Sequence, residues 1–164
     1  MSEQATDTAL EAVIVQLDQG SILLPRSAFL EVTTRAGAVE QDSEHPEVPW
    51  LEPSLIWQDV QVPVINVSQL LDPSRDSGQD RRRFRRLLVM QAVMKPEHLP
   101  FYALEVRGTP HPVQITPQNI YALEDAEATP WSWRVKASGV TTHLLRLDSI
   151  ERRLLEIAEA SASA

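Results

Sequence analysis

The sequence contains no cysteine among its 164 residues. Disulfide bonds, thiolate nucleophiles and cysteine-ligated metal sites are therefore excluded, and this composition suits a reducing compartment. Glycine occurs only five times, so no glycine-rich phosphate-binding loop can be assigned. The longest apolar stretch, residues 87–93, is interrupted by Gln91 and is far too short to span a bilayer.

Positive charge is also scarce, because 15 Lys and Arg residues face 23 Asp and Glu residues and give a formal net charge of −8. This balance argues against general binding to nucleic acid or anionic lipid. The N-terminal residues MSEQATDTALEA lack the basic start and apolar core of a signal peptide. We therefore expect a soluble cytoplasmic protein with no direct membrane insertion.

Residue types that carry catalysis or bind metals form no recognisable pattern. The histidines lie far apart without the spacing of metal ligands: His45, His98, His111 and His143. Ser, Asp and Glu are scattered through predicted loops, so neither a catalytic triad nor a pair of carboxylates can be singled out. We predict a protein that is not an enzyme and has no cofactor or metal.

The rest of the prediction is organised around residues 50–71, WLEPSLIWQDVQVPVINVSQLL. Their aromatic and β-branched residues predict two strands, 54–57 and 61–67, joined by a turn at Gln58 and Asp59. One helical turn, 68–71, follows. Pro63 cannot donate to a strand ladder, so we expect it on an edge, at a bulge or at a strand start.

Short strands continue on both sides of this hairpin. They are predicted at 12–17, 21–24, 31–34, 87–93, 101–106, 113–115, 131–137 and 140–147, with helical turns at 26–30 and 118–121. Within 131–137, alternation predicts that Trp131, Trp133 and Val135 face the core. Such a succession of short strands favours barrels over a doubly wound sheet.

Residues 149–158 form the one convincing helix of the sequence. Ser149 is the predicted N-cap, Glu151 lies favourably in the first turn, and Ile150, Leu154, Ile157 and Ala158 share the apolar face. The polar segment 72–80, DPSRDSGQD, is the best internal boundary. We therefore predict a disordered tail at 1–10 and a single domain at 11–160, with lobes at about 11–72 and 82–148 and the helix at 149–158.

Three segments resemble the CheW family, the coupling proteins of bacterial chemosensory arrays. Residues 21–32, SILLPRSAFLEV, and then residues 50–71 resemble the first lobe of that family. Residues 101–120, FYALEVRGTPHPVQITPQNI, resemble the second lobe. The resemblance implies a mainly β fold of two five-stranded SH3-like barrels with a C-terminal helix. It also implies a non-enzymatic adaptor, and the chain is similar to divergent members that serve twitching motility by type IV pili.

The partners implied by the resemblance are the regulatory domain of a CheA-type histidine kinase and the signalling tip of a methyl-accepting chemoreceptor. The implied partner-binding positions are Phe29, Leu30, Glu31, Trp57, Gln58, Asp59, Ala103, Thr109 and Pro112. Gln58-Asp59 stands where Arg-Gly is usual in the family, and Asn66 and Arg107 stand where Asp is usual. Since Glu31 can pair with that arginine, we expect a neutral–charged hydrogen bond here instead of an ion pair.

Several of these residues allow a second interpretation. Trp50, Trp57, Phe29 and Leu30 either anchor a partner or fill the core and rim of a barrel. The basic run at 81–86, RRRFRR, is either a solvated linker or an aromatic-containing basic patch. The alternative function is therefore a small β-barrel protein that binds nucleic acid through this run, whereas the favoured adaptor has no nucleic-acid partner.

Overall fold

The computed structural model describes residues 9–34, 47–73, 86–123 and 129–163. In these ranges the chain forms eleven β-strands and two α-helices. The strands are β1 Leu10–Gln16, β2 Ser21–Pro25, β3 Phe29–Thr33, β4 Leu51–Trp57, β5 Val60–Asn66, β6 Arg86–Gln91, β7 Phe101–Val106, β8 His111–Ile115, β9 Ile120–Ala122, β10 Ser132–Ala137 and β11 Val140–Leu145. The helices are α1 Val67–Leu71 and α2 Leu147–Ser163, and a 3₁₀ turn, Arg26–Ala28, links β2 to β3. The predicted mainly β fold with a C-terminal helix is confirmed.

The strands build two sheets. One has six strands in the order β8-β1-β2-β11-β10-β9, and the other has five in the order β3-β6-β7-β5-β4. The sixth strand of the first sheet is β9, where the sequence predicts a helical turn at 118–121. That prediction is wrong for Ile120 and Tyr121, which pair with Ala137 and Lys136 of β10. The turn is confined to residues 116–119, where the Asn119 amide donates to the Thr116 carbonyl at 3.1 Å and the Asn119 Oδ1 accepts from the Thr116 amide at 2.8 Å.

The sheets do not divide the chain in the middle. Strands β1 and β2 join β8–β11, whereas β3–β7 form the five-stranded sheet. Strand β2 pairs in parallel with β11, with Ile22 opposite His143. The predicted lobe boundary between residues 72 and 82 therefore does not coincide with the boundary between the two sheets. Residues 74–85, which include most of the predicted break, lie outside the described residues, as do residues 1–8. Leu10, assigned to the tail, begins β1.

Three hydrophobic clusters follow from alternation along the central strands. In β7, Phe101 and Ala103 face the interior of the five-stranded lobe, while Tyr102 and Leu104 face a core shared with the other sheet. In the six-stranded sheet, one face forms a separate cluster and the other faces the shared core. The separate cluster contains Ala12, Leu23, Val135 and Ala137, whereas the shared core contains Val13, Val15, Ile22 and Leu24. Because both faces of these strands are covered, their sequences are continuous apolar runs.

Helix α2 packs on the shared core through Leu147, Ile150 and Leu154. It begins at Leu147, so the prediction that Ser149 caps it is wrong. The reason is that helical hydrogen bonding starts earlier, with the Ile150 amide donating to the Arg146 carbonyl at 3.1 Å. Glu151 lies in the second turn instead of the first and is fully buried.

The β4–β5 hairpin has the predicted two-residue turn. Gln58 and Asp59 have φ values of 48° and 64°, which is the left-handed region that such a turn requires. The ladder between β4 and β5 shifts register between Glu52 and Leu55. Pro63 lies opposite that irregularity, as predicted for a residue without an amide proton.

The exposure of the tryptophans departs from simple alternation. Ser132 is 2% exposed and Trp133 is 50% exposed, so the prediction that Trp133 faces the core is wrong. Ser132 is held inside by polar contacts, with its Oγ 3.1 Å from Nδ1 of His143. Trp131 lies just before β10 and packs on Trp50 with ring centroids 6.0 Å apart. Both of these rings pack against the shared core.

Candidate partner-binding surface

The two edge strands of the five-stranded sheet meet at Glu31 and Trp57. Strands β3 and β4 are at opposite ends of the sheet order, yet the indole Nε1 of Trp57 donates a hydrogen bond to Oε1 of Glu31. The sheet therefore curls until its edges are in contact. This curling brings together two groups of predicted residues in what we call the edge surface: Phe29, Leu30, Glu31, Trp57, Gln58 and Asp59.

Trp57 belongs partly to the lobe interior and partly to the edge surface. Its ring meets the Phe101 ring edge-on, with centroids 5.2 Å apart and an interplanar angle of 69°. It also packs against the interior cluster that contains Ala103. Ala103 has 0% exposure, so its side chain lies beneath the surface and is unavailable for direct contact. The prediction that Ala103 contacts a partner is therefore corrected to a core position.

Phe29 and Leu30 have different environments although they are neighbours. Phe29 is half-buried against the shared core, and the Arg26 guanidinium lies 5.3 Å from its ring centroid. The ladder between β3 and β6 is irregular between Phe29 and Glu31, and Leu30 occupies that bulge. Its side chain is 39% exposed. Of the two predicted contact residues, Leu30 is therefore the more exposed.

The polar groups of the edge surface are mostly acidic. Glu31, Gln58 and Asp59 are all exposed. The expected hydrogen bond between Glu31 and Gln58 is absent among the described residues, and Glu31 accepts instead from the indole of Trp57. The edge surface thus combines an exposed leucine, a half-buried tryptophan and two carboxylates around a tight turn. No sequence pattern signals the contact between Glu31 and Trp57, because the residues are far apart in the chain and on different strands.

Thr109 and Pro112, the remaining predicted positions, belong to a different part of the molecule. Both are exposed, and Pro112 pairs with Val13 in the six-stranded sheet. The preceding loop is held against β1, because the amides of Arg107 and Gly108 both donate to the Gln16 carbonyl, at 3.1 and 3.0 Å. Gly108 leaves little space there, since a Cβ atom would lie 3.0 Å from Cβ of Gln16.

Arg107, which departs from the family pattern, has a local partner in this loop. Its guanidinium forms a 3.3 Å salt bridge with Asp18. The Arg107 side chain is 54% exposed, whereas that of Asp18 is 6% exposed. The contact joins the β7–β8 loop to the β1–β2 turn.

Asn66, the other departure, is 2% exposed and has two structural contacts. Its Oδ1 accepts a hydrogen bond from the Gln69 amide at 3.2 Å and caps α1. Its Nδ2 donates to Oε1 of Glu52, also at 3.2 Å. An aspartate at this position would lack that donor.

Other chemistry is sparse over the described ranges. No three His, Asp or Glu side chains of these ranges come together as metal ligands would. His143 is half-buried, and burial followed by the nearby Arg134 charge lowers its pKa. His45 and residues 81–85 of the basic run lie outside the described residues. No helix in the described ranges combines the length and apolarity needed to cross a bilayer.

No protein-family model matches the sequence, and no curated protein matches it significantly. The structure is similar to that of the scaffolding protein TtCheW from Thermoanaerobacter tengcongensis, with a TM-score of 0.64. The similarity covers 84% of this chain and 88% of that protein, at 14% sequence identity. The chain has a CheW-like fold. The resemblance carried by residues 21–32, 50–71 and 101–120 is therefore confirmed for the architecture. Within the CheW-like fold, the edge surface lies on the lobe formed by β3–β7.

Proposed function

We propose that this protein is a non-enzymatic adaptor that couples chemoreceptors to a CheA-type histidine kinase in the cytoplasm of a bacterium. The observation that carries the proposal is the CheW-like fold over 84% of the chain. Two lobes with separate outer surfaces allow one protein to hold two partners in a fixed relative position. Contacts of about 1,200–2,000 Å² in total are sufficient for such signalling complexes.

The edge surface is the proposed docking site for one of these partners. Leu30 and Val32 are 39% and 38% exposed on an edge strand, beside the polar turn of Gln58 and Asp59. Exposed apolar side chains next to a polar rim are typical of an interface with a buried centre. Trp57 supports the role because a half-buried tryptophan can be covered fully by a partner, and tryptophan is enriched at interaction hot spots.

The test is calorimetric titration of the purified protein with the CheA-type regulatory domain and the receptor signalling tip from the same organism. We expect Leu30→Ser to weaken binding of one partner by about five- to tenfold, as for a moderate hot spot. Val140→Ser is the matched control, because Val140 is 40% exposed on β11 of the other sheet. Thermal melts verify that both variants are folded.

The outcomes separate the two levels of the proposal. If the unmodified protein binds neither partner, the adaptor function is wrong. If it binds both and Leu30→Ser binds as tightly as Val140→Ser does, the adaptor function stands and the edge surface is not the docking site.

Substitutions in the turn of the edge surface test which signalling system the protein serves. Replacing Gln58-Asp59 with the family's usual pair, by Gln58→Arg and Asp59→Gly, should shift the preference between kinases, because specificity is a difference of affinities. The twitching-motility assignment stays a prediction. Comparing kinases from pilus-associated and from flagellar arrays of one organism, with and without the double substitution, checks it.

The nucleic-acid alternative receives no support from the described part of the basic run. Arg86 is the one residue of 81–86 in that part, and its Nη1 donates to the Arg107 carbonyl at 3.0 Å. Titration with a single-stranded oligonucleotide at low and high salt belongs in the same experiment. Tight, salt-dependent binding there, without binding to kinase or receptor, would favour the alternative.

A further inference from the structure

A second surface lies in an open cleft between the six-stranded sheet and helix α1. The cleft has a volume of about 300 Å³. Its walls come from the β1–β2 turn, from α1 with the following Asp72, and from Arg134 and His143 on β10 and β11. Leu17 and Leu71 contribute apolar surface. Volumes of this order are sufficient for part of a bound ligand or peptide.

The β10 wall of this cleft continues into a cationic strip. Arg134 and Lys136 are two residues apart on β10, so their side chains emerge from the same face about 6.6 Å apart. Cross-strand pairing places His143 opposite Arg134 and Tyr121 opposite Lys136. The Tyr121 side chain is 56% exposed. We refer to Tyr121, Arg134, Lys136 and His143 as the β10 strip.

The cations of the β10 strip are not neutralised within the described structure. Arg107 pairs with Asp18 and Arg153 pairs with Glu156, each at 3.3 Å. Over the described ranges, neither Arg134 nor Lys136 forms such a salt bridge. Among the described residues, two adjacent cations without a salt bridge stand out in a protein whose formal net charge is −8, because such a chain offers many carboxylates that could pair with them.

The remaining ionisable groups around the cleft leave this positive character in place. Asp72 lies at the end of α1 and supplies one carboxylate to the opposite part of the wall. His143 stays neutral at pH 7, since burial and the Arg134 charge both lower its pKa. Its Nδ1 is within 3.1 Å of the Ser132 hydroxyl. The cleft and strip therefore present two cations, one carboxylate and a neutral imidazole.

We propose that the cleft and the β10 strip bind an acidic peptide segment of a partner protein, with Arg134 and Lys136 contacting its carboxylates. An extended peptide repeats its side chains on one face every two residues, about 6.6 Å apart, which equals the spacing of the two cations. Charge complementarity favours this occupant. A nucleic acid fits less well, because two cations would neutralise only a small part of its continuous run of phosphates. This binding does not depend on the adaptor function.

The experiment uses a capped hexaglutamate peptide as the probe and a capped hexaglutamine peptide of equal length as its neutral counterpart. Amide chemical shifts of the full-length protein are followed during titration at low and at moderate salt. We expect hexaglutamate to shift the amides of β10, β11 and α1, with binding weakened by salt, and hexaglutamine to shift none of them. This map on the unmodified protein requires no substitution.

Paired variants then test the two cations. Arg134→Gln with Lys136→Gln should weaken hexaglutamate binding at least about tenfold, since two charge-assisted contacts are lost. Lys95→Gln with Arg152→Gln removes the same charge from other exposed positions and should leave the affinity within about twofold. Equal weakening by both pairs would show general electrostatic attraction and would overturn the proposal.

Two further results would also overturn it. Hexaglutamate shifts confined to other elements would place the binding site elsewhere. If a single-stranded oligonucleotide binds the β10 strip and hexaglutamate does not, the occupant is a nucleic acid. The chemical-shift map of the unmodified protein tests the proposal by itself, so the proposal is still decided if a variant fails to fold.

Discussion

The phenol of Tyr102 donates a 2.8 Å hydrogen bond to the carboxylate of Glu151, and neither side chain has any exposed surface. The same carboxylate accepts hydrogen bonds from the backbone amides of Val93 and Met94, both at 2.9 Å. Burying a carboxylate is costly unless hydrogen bonds replace the lost water, and three donors do so here. Glu151 thereby fastens helix α2 to β7 and to the β6–β7 loop.

Replacing this carboxylate should have a large effect on stability. We expect Glu151→Gln to lower the free energy of unfolding by about 2–4 kcal/mol, because an amide NH₂ group would face donors that need an acceptor. Glu156→Gln is the control on the same helix. Glu156 is exposed and pairs only with Arg153 among the described residues, so its loss should be below about 0.5 kcal/mol. Urea denaturation measures both, and equal losses would contradict the role given to Glu151.

The same contact predicts a pH dependence at the alkaline end. Burial, then the nearby Glu151 charge, then the hydrogen bond to it raise the pKa of Tyr102. The pKa of Tyr102 is therefore higher in the folded state than its value of about 10 in the unfolded state. This difference stabilises the folded state fully below pH 10, and the stabilisation is lost as the pH rises above 10. The stability difference between the unmodified protein and Tyr102→Phe should therefore shrink between pH 9 and pH 11.5. A constant difference would show that Tyr102 ionises equally easily in both states.

The β4–β5 turn should gain stability from a glycine. Asp59 has φ of 64°, a conformation that is unfavourable for a residue with a side chain. We expect Asp59→Gly to raise the free energy of unfolding by about 0.5–1 kcal/mol. The turn between β10 and β11 supplies the reverse experiment, because Gly139 has φ of 82° and Gly139→Asp should be destabilising. Thermal melts compare them, and a loss of stability in Asp59→Gly would reveal a stabilising contact of the aspartate.

Helix α2 offers a matched pair of leucines for testing its packing. Leu154 is 4% exposed in the shared core, whereas Leu155 is only partly buried against it. Leu154→Ala should cost about 2–5 kcal/mol by leaving a cavity. Leu155→Ala should cost clearly less, since its side chain already contacts water. Similar costs measured by urea denaturation would show that the two faces of the helix are equally packed.

Local structure was accessible from the sequence wherever short-range interactions decide it. Strand β7 spans Phe101–Val106, the range predicted from its aromatic and branched residues. The same kind of pattern predicts the turn at Gln58 and Asp59 and three of the four residues of the apolar face of α2, because period and turn chemistry are properties of neighbouring residues. The fourth, Ala158, is exposed. The CheW-like architecture was accessible through the order of three short segments, although only 14% of residues are identical to TtCheW.

Contacts between distant residues were decided by the tertiary structure alone. The sequence has no signal that β1 and β2 join the sheet of the second half, since strand pairing depends on which apolar faces meet after folding. It also does not show that Trp133 is exposed while Ser132 is buried, or that Glu151 is enclosed by three donors. The edge surface illustrates both sides: the sequence suggested Glu31 and Trp57, but only the curl of the five-stranded sheet brings its first and last strands into contact.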